Sequence, residues 1–175
     1  MSKYAVVFPG QGSQAIGMLA DLASDHPVVE QTFTQASEVL GYDLWDLVQN
    51  GTAEELSQTH ITQPALLATS VALWRIAAAK ESFKPSLVAG HSLGEYSALV
   101  CAGVIKFEDA IALVELRGQL MQQAVPQGVG AMAAVIGLDN DAIIAACEKA
   151  AEGEVVSAVN FNSPGQVVIA GNKAA

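Results

Sequence analysis

A serine between two glycines is the residue best suited to chemistry in this chain. Gly90, Ser92 and Gly94 form the pattern G-x-S-x-G, with an apolar run at residues 87–89 before it and a helical pattern at residues 95–100 after it. A strand, a sharp turn and a helix in that order make a nucleophile elbow, whose strained turn exposes the serine hydroxyl. The sequence therefore predicts that Ser92 is a nucleophile. The alternative is a glycine-flanked turn that happens to carry a serine.

The candidate base for this serine is missing from the pattern. A serine hydroxyl is a poor nucleophile until a base takes its proton, and in hydrolases with this elbow the histidine base follows the serine. The chain has three histidines, His26, His60 and His91, and all of them precede Ser92. Neighbouring side chains on such a turn diverge, so His91 is expected to support the elbow rather than to act as the base. This pattern predicts a chain that is truncated relative to a complete enzyme.

Composition and charge exclude several classes of function. The 175 residues are 51% hydrophobic and 15% charged, which is typical of a globular protein with a large core. A net charge of −10 argues against a nucleic-acid partner, because phosphate binding needs clustered lysine and arginine. The sequence shows no signal peptide and no membrane span, which predicts a cytoplasmic protein. No Cys/His cluster has metal-ligand spacing, and Cys101 and Cys147 are expected to be small buried residues.

The elements around the elbow predict a large α/β domain over residues 1–125. A continuous apolar run at residues 4–8 is typical of a strand covered on both faces, and the apolar run at residues 87–89 predicts a second strand. Helices are expected at residues 28–40, at a capping box formed by Thr52 and Glu55, from Pro64 to residue 79, and at residues 107–123.

A second, smaller domain is predicted over residues 126–175. Residues 126–130 have the composition of a linker or boundary. After them the pattern predicts strands at residues 131–136, 155–159 and 166–170, a helix at residues 141–151 and a polar turn at residues 160–165. The order β-α-β-β is the first two thirds of a ferredoxin-like unit. The expected fold is therefore a hydrolase-like parallel-sheet domain followed by an incomplete ferredoxin-like α+β domain.

Four motifs together resemble one family. They are F-P-G-Q-G-S-Q at residues 8–14, G-H-S-L-G-E at residues 90–95, Arg117, and N-F-N-S-P-G-Q at residues 160–166. In this order and spacing, the chain closely resembles the N-terminal part of the bacterial malonyl-CoA:acyl carrier protein transacylases. The acyltransferase domains of polyketide synthases share the pattern. The resemblance covers the whole chain but only somewhat more than half of a typical family member.

The resemblance implies an acyltransferase of fatty acid biosynthesis. Such an enzyme moves a malonyl group from coenzyme A to Ser92, and then to the phosphopantetheine thiol of acyl carrier protein. Malonyl-CoA and acyl carrier protein are the implied partners. Coenzyme A enters as a thioester substrate, and no separate cofactor is implied. The family's catalytic histidine would lie beyond Ala175.

The resemblance also implies roles for individual residues. Gln11 and the Leu93 backbone amide would form the oxyanion hole, and Arg117 would pair with the free carboxylate of malonyl, since a guanidinium binds a carboxylate bidentately. Gly90, His91 and Gly94 would support the elbow. Further substrate-binding candidates are Gln63, Met121, Met132, Asn160 and Asn162. The methionines also suit a core, and the asparagines suit a tight turn.

Other hypotheses stay open at this point. A serine hydrolase or thioesterase would share the elbow but has no use for a carboxylate-binding arginine. A fragment or binding module without a base would not turn over. By itself, Arg117 could also be a surface cation in a weak i,i+4 pair.

Overall fold

The computed structural model describes residues 4–125 and 128–175. They divide into two compact units between Gln122 and Gln123, near the end of the seventh helix. In chain order the elements are β1 (Ala5–Phe8), α1 (Ala20–Asp25), α2 (Val28–Leu40), α3 (Leu44–Asn50), α4 (Ala53–Leu56), α5 (Thr59–Ala78), β2 (Leu87–Gly90), α6 (Leu93–Cys101), α7 (Phe107–Ala124), β3 (Gly130–Ile136), α8 (Asn140–Ala150), β4 (Val156–Ser163) and β5 (Gln166–Asn172). Within the described residues, no helix has both the length and the apolar character that crossing a membrane requires.

Strands β1 and β2 form a parallel pair in the first unit. Ala5 lies opposite Leu87 at one end of the pair and Phe8 lies opposite Gly90 at the other. The prediction that β1 is covered on both faces is wrong, because Val7 is 72% exposed, and Leu87 of β2 is 69% exposed as well. Successive side chains of a strand point to opposite faces. Helix α6 packs against these two strands, and the alternate residues of β1 remain open.

Helix α5 lies at the centre of the core of the first unit. The prediction that it begins at Pro64 is wrong, because it begins at Thr59 and Pro64 lies inside it. Proline costs the helix one hydrogen bond, to the carbonyl four residues earlier. The turn before Pro64 is stabilised by burial and by Thr62 Oγ1, which donates to the Gln58 carbonyl at 3.1 Å. The core combines buried residues of helices α2 to α7 and includes Val29, Phe33, Leu44, Val48, Leu56, Leu67, Leu93, Ile111 and Val114.

Two local predictions in the first unit are confirmed. Helix α2 spans Val28–Leu40 and ends at Gly41. The capping box is present: Thr52 Oγ1 accepts from the Glu55 amide at 3.2 Å, and Glu55 Oε2 accepts from the Thr52 amide at 2.8 Å. The Thr52 hydroxyl also donates to Glu55 Oε2 at 2.8 Å, and the two bonds that Thr52 donates to this carboxylate lower the pKa of Glu55. Each feature depends on residues close together in sequence.

The second unit has the predicted order β3-α8-β4-β5. Strand β5 lies between β3 and β4 and is antiparallel to both. Strands β3 and β4, which α8 connects, therefore run parallel without touching. Ile143 and Cys147 of α8 pack on Val167 of β5. Of the predicted boundary at residues 126–130, Pro126 and Gln127 lie outside the described residues, and Gly130 already belongs to β3.

The predicted polar turn at residues 160–165 is too long. Strand β4 continues to Ser163, which pairs with Gln166, so that only Pro164 and Gly165 form the hairpin loop. Asn160 pairs with Val168, and the register shifts on both sides of the Asn160 segment. Irregularities of this kind let a strand accept residues that would favour turns elsewhere.

Candidate active site

Ser92 occupies the turn between β2 and α6 in a strained conformation. Its φ is 54° and its ψ is −111°, which a residue with a Cβ rarely adopts. The Gly94 amide donates to the His91 carbonyl at 3.0 Å, and the Glu95 amide donates to the Ser92 carbonyl at 3.2 Å. His91 thus closes the turn through its backbone, while the residue as a whole is exposed. The predicted strand–turn–helix arrangement is present.

The two glycines of the elbow leave no room for a side chain. A Cβ on Gly90 would overlap the carbonyl of Gly94, and a Cβ on Gly94 would overlap the carbonyl of Phe8 at the end of β1. The start of α6 can therefore lie directly against both strand ends. This close approach fixes where the serine hydroxyl emerges.

The two predicted oxyanion-hole groups lie in different surroundings. Leu93 is the first residue of α6, so its amide has no acceptor within the helix and lies at the positive end of the helix dipole. Gln11 lies in the loop after β1 and is exposed, with its Nε2 3.5 Å from Thr59 Oγ1 at the start of α5. Among the described residues, no hydrogen bond joins Gln11 to the elbow.

Arg117 of α7 reaches the nucleophile. Its Nη2 donates to Ser92 Oγ at 3.0 Å, and its Nη1 donates to Gln63 Oε1 at 2.7 Å. Gln63 is completely buried, and its Nε2 lies 3.4 Å from the sulfur of Met121. The Tyr96 ring centroid lies 5.6 Å from Arg117 Cζ. The structure thus brings together four predicted site residues and places a full positive charge beside the serine.

A further glycine allows this contact between α5 and α7. A Cβ on Gly118 would lie 2.8 Å from the backbone nitrogen of His60 and 2.8 Å from the carbonyl oxygen of Thr59. The missing side chain lets α7 approach the first turn of α5. Because Arg117 precedes Gly118 and Gln63 lies in the next turn of α5, the close approach brings these two side chains within hydrogen-bond distance.

The contact between Tyr96 and Arg117 was not predicted. A signal exists in the sequence, because a residue four positions after Ser92 on a helix lies on the same face. That spacing alone does not reveal which side chain of α7 meets the ring. The remaining candidates, Met132 on β3 and both Asn160 and Asn162 on β4, belong to the second unit, and Met132 is 68% exposed there.

No histidine hydrogen-bonds to Ser92 Oγ in the part of the chain that the structure describes. His60 Nδ1 lies 3.2 Å from Gln122 Oε1 instead. The same residues contain no group of three or more His, Cys, Asp or Glu side chains placed to hold a metal ion. The chemistry that this geometry supports by itself is a serine nucleophile beside a cation.

Comparison with known proteins decides the family. A family model described as "Acyl transferase domain" matches residues 5–175. The chain belongs to the acyl transferase domain family. Within that family, it is 72% identical over 178 residues to the malonyl CoA-acyl carrier protein transacylase of Haemophilus influenzae, covering 100% of this chain and 56% of that relative.

Two solved acyl transferase structures resemble the chain closely. One is an acyl carrier protein S-malonyltransferase from Vibrio cholerae, with a TM-score of 0.93 and 70% identity over 99% of this chain and 56% of that one. The other is a malonyl-transacylase in complex with its type II polyketide synthase acyl-carrier protein, with a TM-score of 0.94 and 69% identity over 98% of this chain and 56% of that one. Both have the α/β fold predicted for this chain. The chain thus spans about half the length of the relatives it matches.

Proposed function

We propose that this chain supplies the acyl-enzyme half of a malonyl-CoA:acyl carrier protein transacylase. The observation that carries the proposal is the 3.0 Å contact between Arg117 Nη2 and the Oγ of Ser92 on a strained elbow. A guanidinium beside the nucleophile has a clear use when the acyl group carries a free carboxylate. A simple ester or thioester hydrolase gains nothing from that charge.

The proposed reaction has two half-steps. Ser92 Oγ attacks the thioester carbonyl of malonyl-CoA, an O–C bond forms, and the C–S bond to coenzyme A breaks. The serine proton passes through a base to the departing thiolate. A thiol then attacks the ester through the same steps in reverse, which restores Ser92 and gives ping-pong kinetics. Since no described histidine hydrogen-bonds to Ser92 Oγ, the base is proposed to be a histidine outside the described residues, and no separate cofactor is proposed.

The oxyanion of each tetrahedral intermediate would be stabilised at the start of α6. The Leu93 amide can donate to the oxyanion without breaking a hydrogen bond of the helix, and it lies at the positive end of the helix dipole. Gln11 is the proposed second donor. Since it now bonds at 3.5 Å to Thr59, a long distance for a hydrogen bond, its side chain is weakly held and can turn towards substrate at little cost.

Arg117 would exchange one partner when malonyl binds. Its Nη1 stays on the buried Gln63 at 2.7 Å, while Nη2 leaves Ser92 Oγ for the malonyl carboxylate. The exchange frees the hydroxyl at the moment the acyl group arrives. Met121 would then flank the acyl group, and Met132, Asn160 and Asn162 are proposed to contribute from the second unit.

The thiol acceptor is proposed to be the phosphopantetheine arm of acyl carrier protein, as part of fatty acid biosynthesis. One structural relative is described in complex with an acyl-carrier protein, which supports this proposal. The finer fold assignment is proposed as well. The parallel pair with its elbow fits a hydrolase-like domain, and the split β3-α8-β4 unit with β5 between its strands fits part of a ferredoxin-like domain.

The test compares transfer with hydrolysis. A protein of the relatives' full length that carries this chain is mixed with malonyl-CoA and a pantetheine thiol, and malonyl-thioester and free malonate are both measured. Dominant transfer that depends on Ser92 supports the proposal. Dominant release of malonate contradicts the proposal in favour of a hydrolase, and equal transfer rates with acetyl-CoA contradict the proposed malonyl selectivity.

A further inference from the structure

Tyr96 lies beside the proposed carboxylate-binding arginine. It is one helical turn after Ser92 on α6, and its ring centroid is 5.6 Å from Arg117 Cζ. This distance is within the range of about 6 Å in which an aromatic face attracts a guanidinium. Tyr96 is half-buried and packs against the core of the first unit, so its ring is held in place by that core.

Among the residues that the structure describes, no partner of Arg117 carries a negative charge. Gln63 Oε1 accepts from Nη1 at 2.7 Å and Ser92 Oγ accepts from Nη2 at 3.0 Å, while the Tyr96 ring lies against the guanidinium. A carboxylate partner would compete with an acidic ligand for the same cation. Neutral partners instead hold the guanidinium and leave its charge available.

The two anchors at Arg117 fix different degrees of freedom. The bond to Gln63 holds Nη1 at one point, about which the guanidinium can still rotate. Contact with a flat ring restricts that rotation, because a planar guanidinium stacks on an aromatic face. Bidentate binding of a carboxylate requires the guanidinium plane to be fixed.

We propose that Tyr96 is a positioning residue for Arg117. Its ring holds the guanidinium in the plane that meets the carboxylate of the incoming acyl group, and so sets the preference for dicarboxylic over simple acyl thioesters. The inference rests on the proposed function, and it assigns to Tyr96 a role in selecting the acyl group.

The first experiment removes the ring and then restores it. In a protein of the relatives' full length, Tyr96→Leu is expected to raise KM for malonyl-CoA about fivefold, which corresponds to the loss of one cation–π contact. The kinetics with acetyl-CoA, which has no carboxylate, are expected to change far less. Tyr96→Phe keeps the ring and is expected to restore the malonyl preference.

Tyr42→Leu is the matched control. Tyr42 is another half-buried tyrosine packed on the same core, so the variant loses similar packing without touching Arg117. Its ratio of malonyl to acetyl transfer is expected to stay at the wild-type value. Equal losses with both thioesters in Tyr96→Leu would show that Tyr96 serves only the fold and would overturn the inference.

A second measurement does not depend on whether the leucine variant folds. Phenylalanine analogues with an increasing number of ring fluorines at position 96 keep the shape of the ring while weakening the negative charge of its face. KM for malonyl-CoA is expected to rise with each fluorine, and a flat series would overturn the inference. If the wild-type protein transfers malonyl but KM does not change across the fluorinated series, the role of Tyr96 is refuted and the proposed function stands. If the wild-type protein does not transfer malonyl, the proposed function is refuted as well.

Discussion

The two units of the chain enclose very different amounts of apolar side chain. In the first unit, Phe33, Leu67 and Ile111 are fully buried in a core to which helices α2 to α7 all contribute. The core described for the second unit consists of Ile143, Cys147 and Val167, and nearly all of β3 is exposed. Burial of apolar surface is the main stabilising contribution in folding. The first unit therefore has the larger reserve of stability.

The residues of the candidate active site lie in the unit with the larger core. Ser92, Arg117, Gln63 and Tyr96 all belong to the first unit, where the backbone around them is fixed by buried neighbours. A catalytic arrangement tolerates displacements of only about 0.5 Å, so it benefits from a well-packed support. The strained elbow and its cation therefore lie where the core can hold them.

The largest expected effect comes from removing a central aromatic residue of the first unit. Phe33 is fully buried and its ring centroid lies 4.8 Å from that of Trp45. Phe33→Ala is expected to lower the free energy of unfolding by about 4 kcal/mol through lost burial and an unfilled cavity. Tryptophan fluorescence during urea unfolding measures this, since Trp45 and Trp74 both lie in the first unit.

The control for this prediction is Ile143→Ala in the second unit. Its effect on the tryptophan transition is expected to be small, because neither tryptophan reports on that unit. If both variants shift the transition equally, the two units unfold together and the comparison fails.

Gly94→Ala is expected to have the next largest effect. The new Cβ overlaps the Phe8 carbonyl, so that α6 must move away from β1, at a cost of about 3 kcal/mol. Gly171→Ala makes a similar overlap with Val155 in the second unit and is the matched control. We expect only the Gly94 variant to lower the midpoint of the tryptophan transition. An unchanged midpoint for that variant would refute the close approach at the elbow.

The alkylation rates of the two cysteines report on the stability of the two units, because Cys101 lies in the first unit and Cys147 in the second. Burial raises the pKa of the Cys101 thiol to about 12, with Arg75 opposing the rise. Alkylation of Cys101 by iodoacetamide at pH 8.5 is therefore expected to be at least about a hundredfold slower than that of free cysteine, since only the thiolate reacts. Cys147 is buried in the small core of the second unit.

The urea concentration at which labelling accelerates distinguishes Cys101 from Cys147. If the second unit opens more easily, labelling of Cys147 accelerates at a lower urea concentration than labelling of Cys101. Peptide mass spectrometry measures both rates in one sample. Acceleration at Cys101 first would reverse the proposed order of stability.

Arg117→Ala is expected to change free energy less than Phe33→Ala or Gly94→Ala does, but to affect malonyl transfer selectively. Loss of a charge-assisted bidentate contact corresponds to about 1.5–3 kcal/mol, so malonyl transfer is expected to fall at least about tenfold and acetyl transfer far less. Arg75→Ala is the control. Arg75 binds Thr32 and Gln35 and lies over Phe107, so its loss affects stability rather than selectivity. Equal losses for both acyl groups would mean that Arg117 serves the fold.

Features set by residues close in sequence could be predicted from the sequence. The elbow, helix α2 with Gly41 after it, and the capping box of Thr52 and Glu55 each depend on neighbours within a few positions. Most of the order of strands and helices could be predicted for the same reason, but the short helices α1 and α3 were not predicted. These local preferences and the final fold agree, as is usual in natural sequences.

Features set by distant partners could not be predicted in this way. The burial of Ile61, Thr62 and Gln63 stabilises a turn of helix before Pro64, and pairing with β5 extends β4 through Asn160. The contacts of Arg117 depend on how closely α7 approaches α5 and α6, which no pattern within one helix specifies.

The most direct test of the account is the identity of the acylated residue. A protein of the relatives' full length that carries this chain is incubated with malonyl-CoA, quenched in acid, digested and examined by peptide mass spectrometry. The account predicts a malonyl ester on Ser92 that disappears when a pantetheine thiol is added, and that forms poorly in Arg117→Ala. A malonyl adduct on any other residue, or turnover without any adduct, would contradict it.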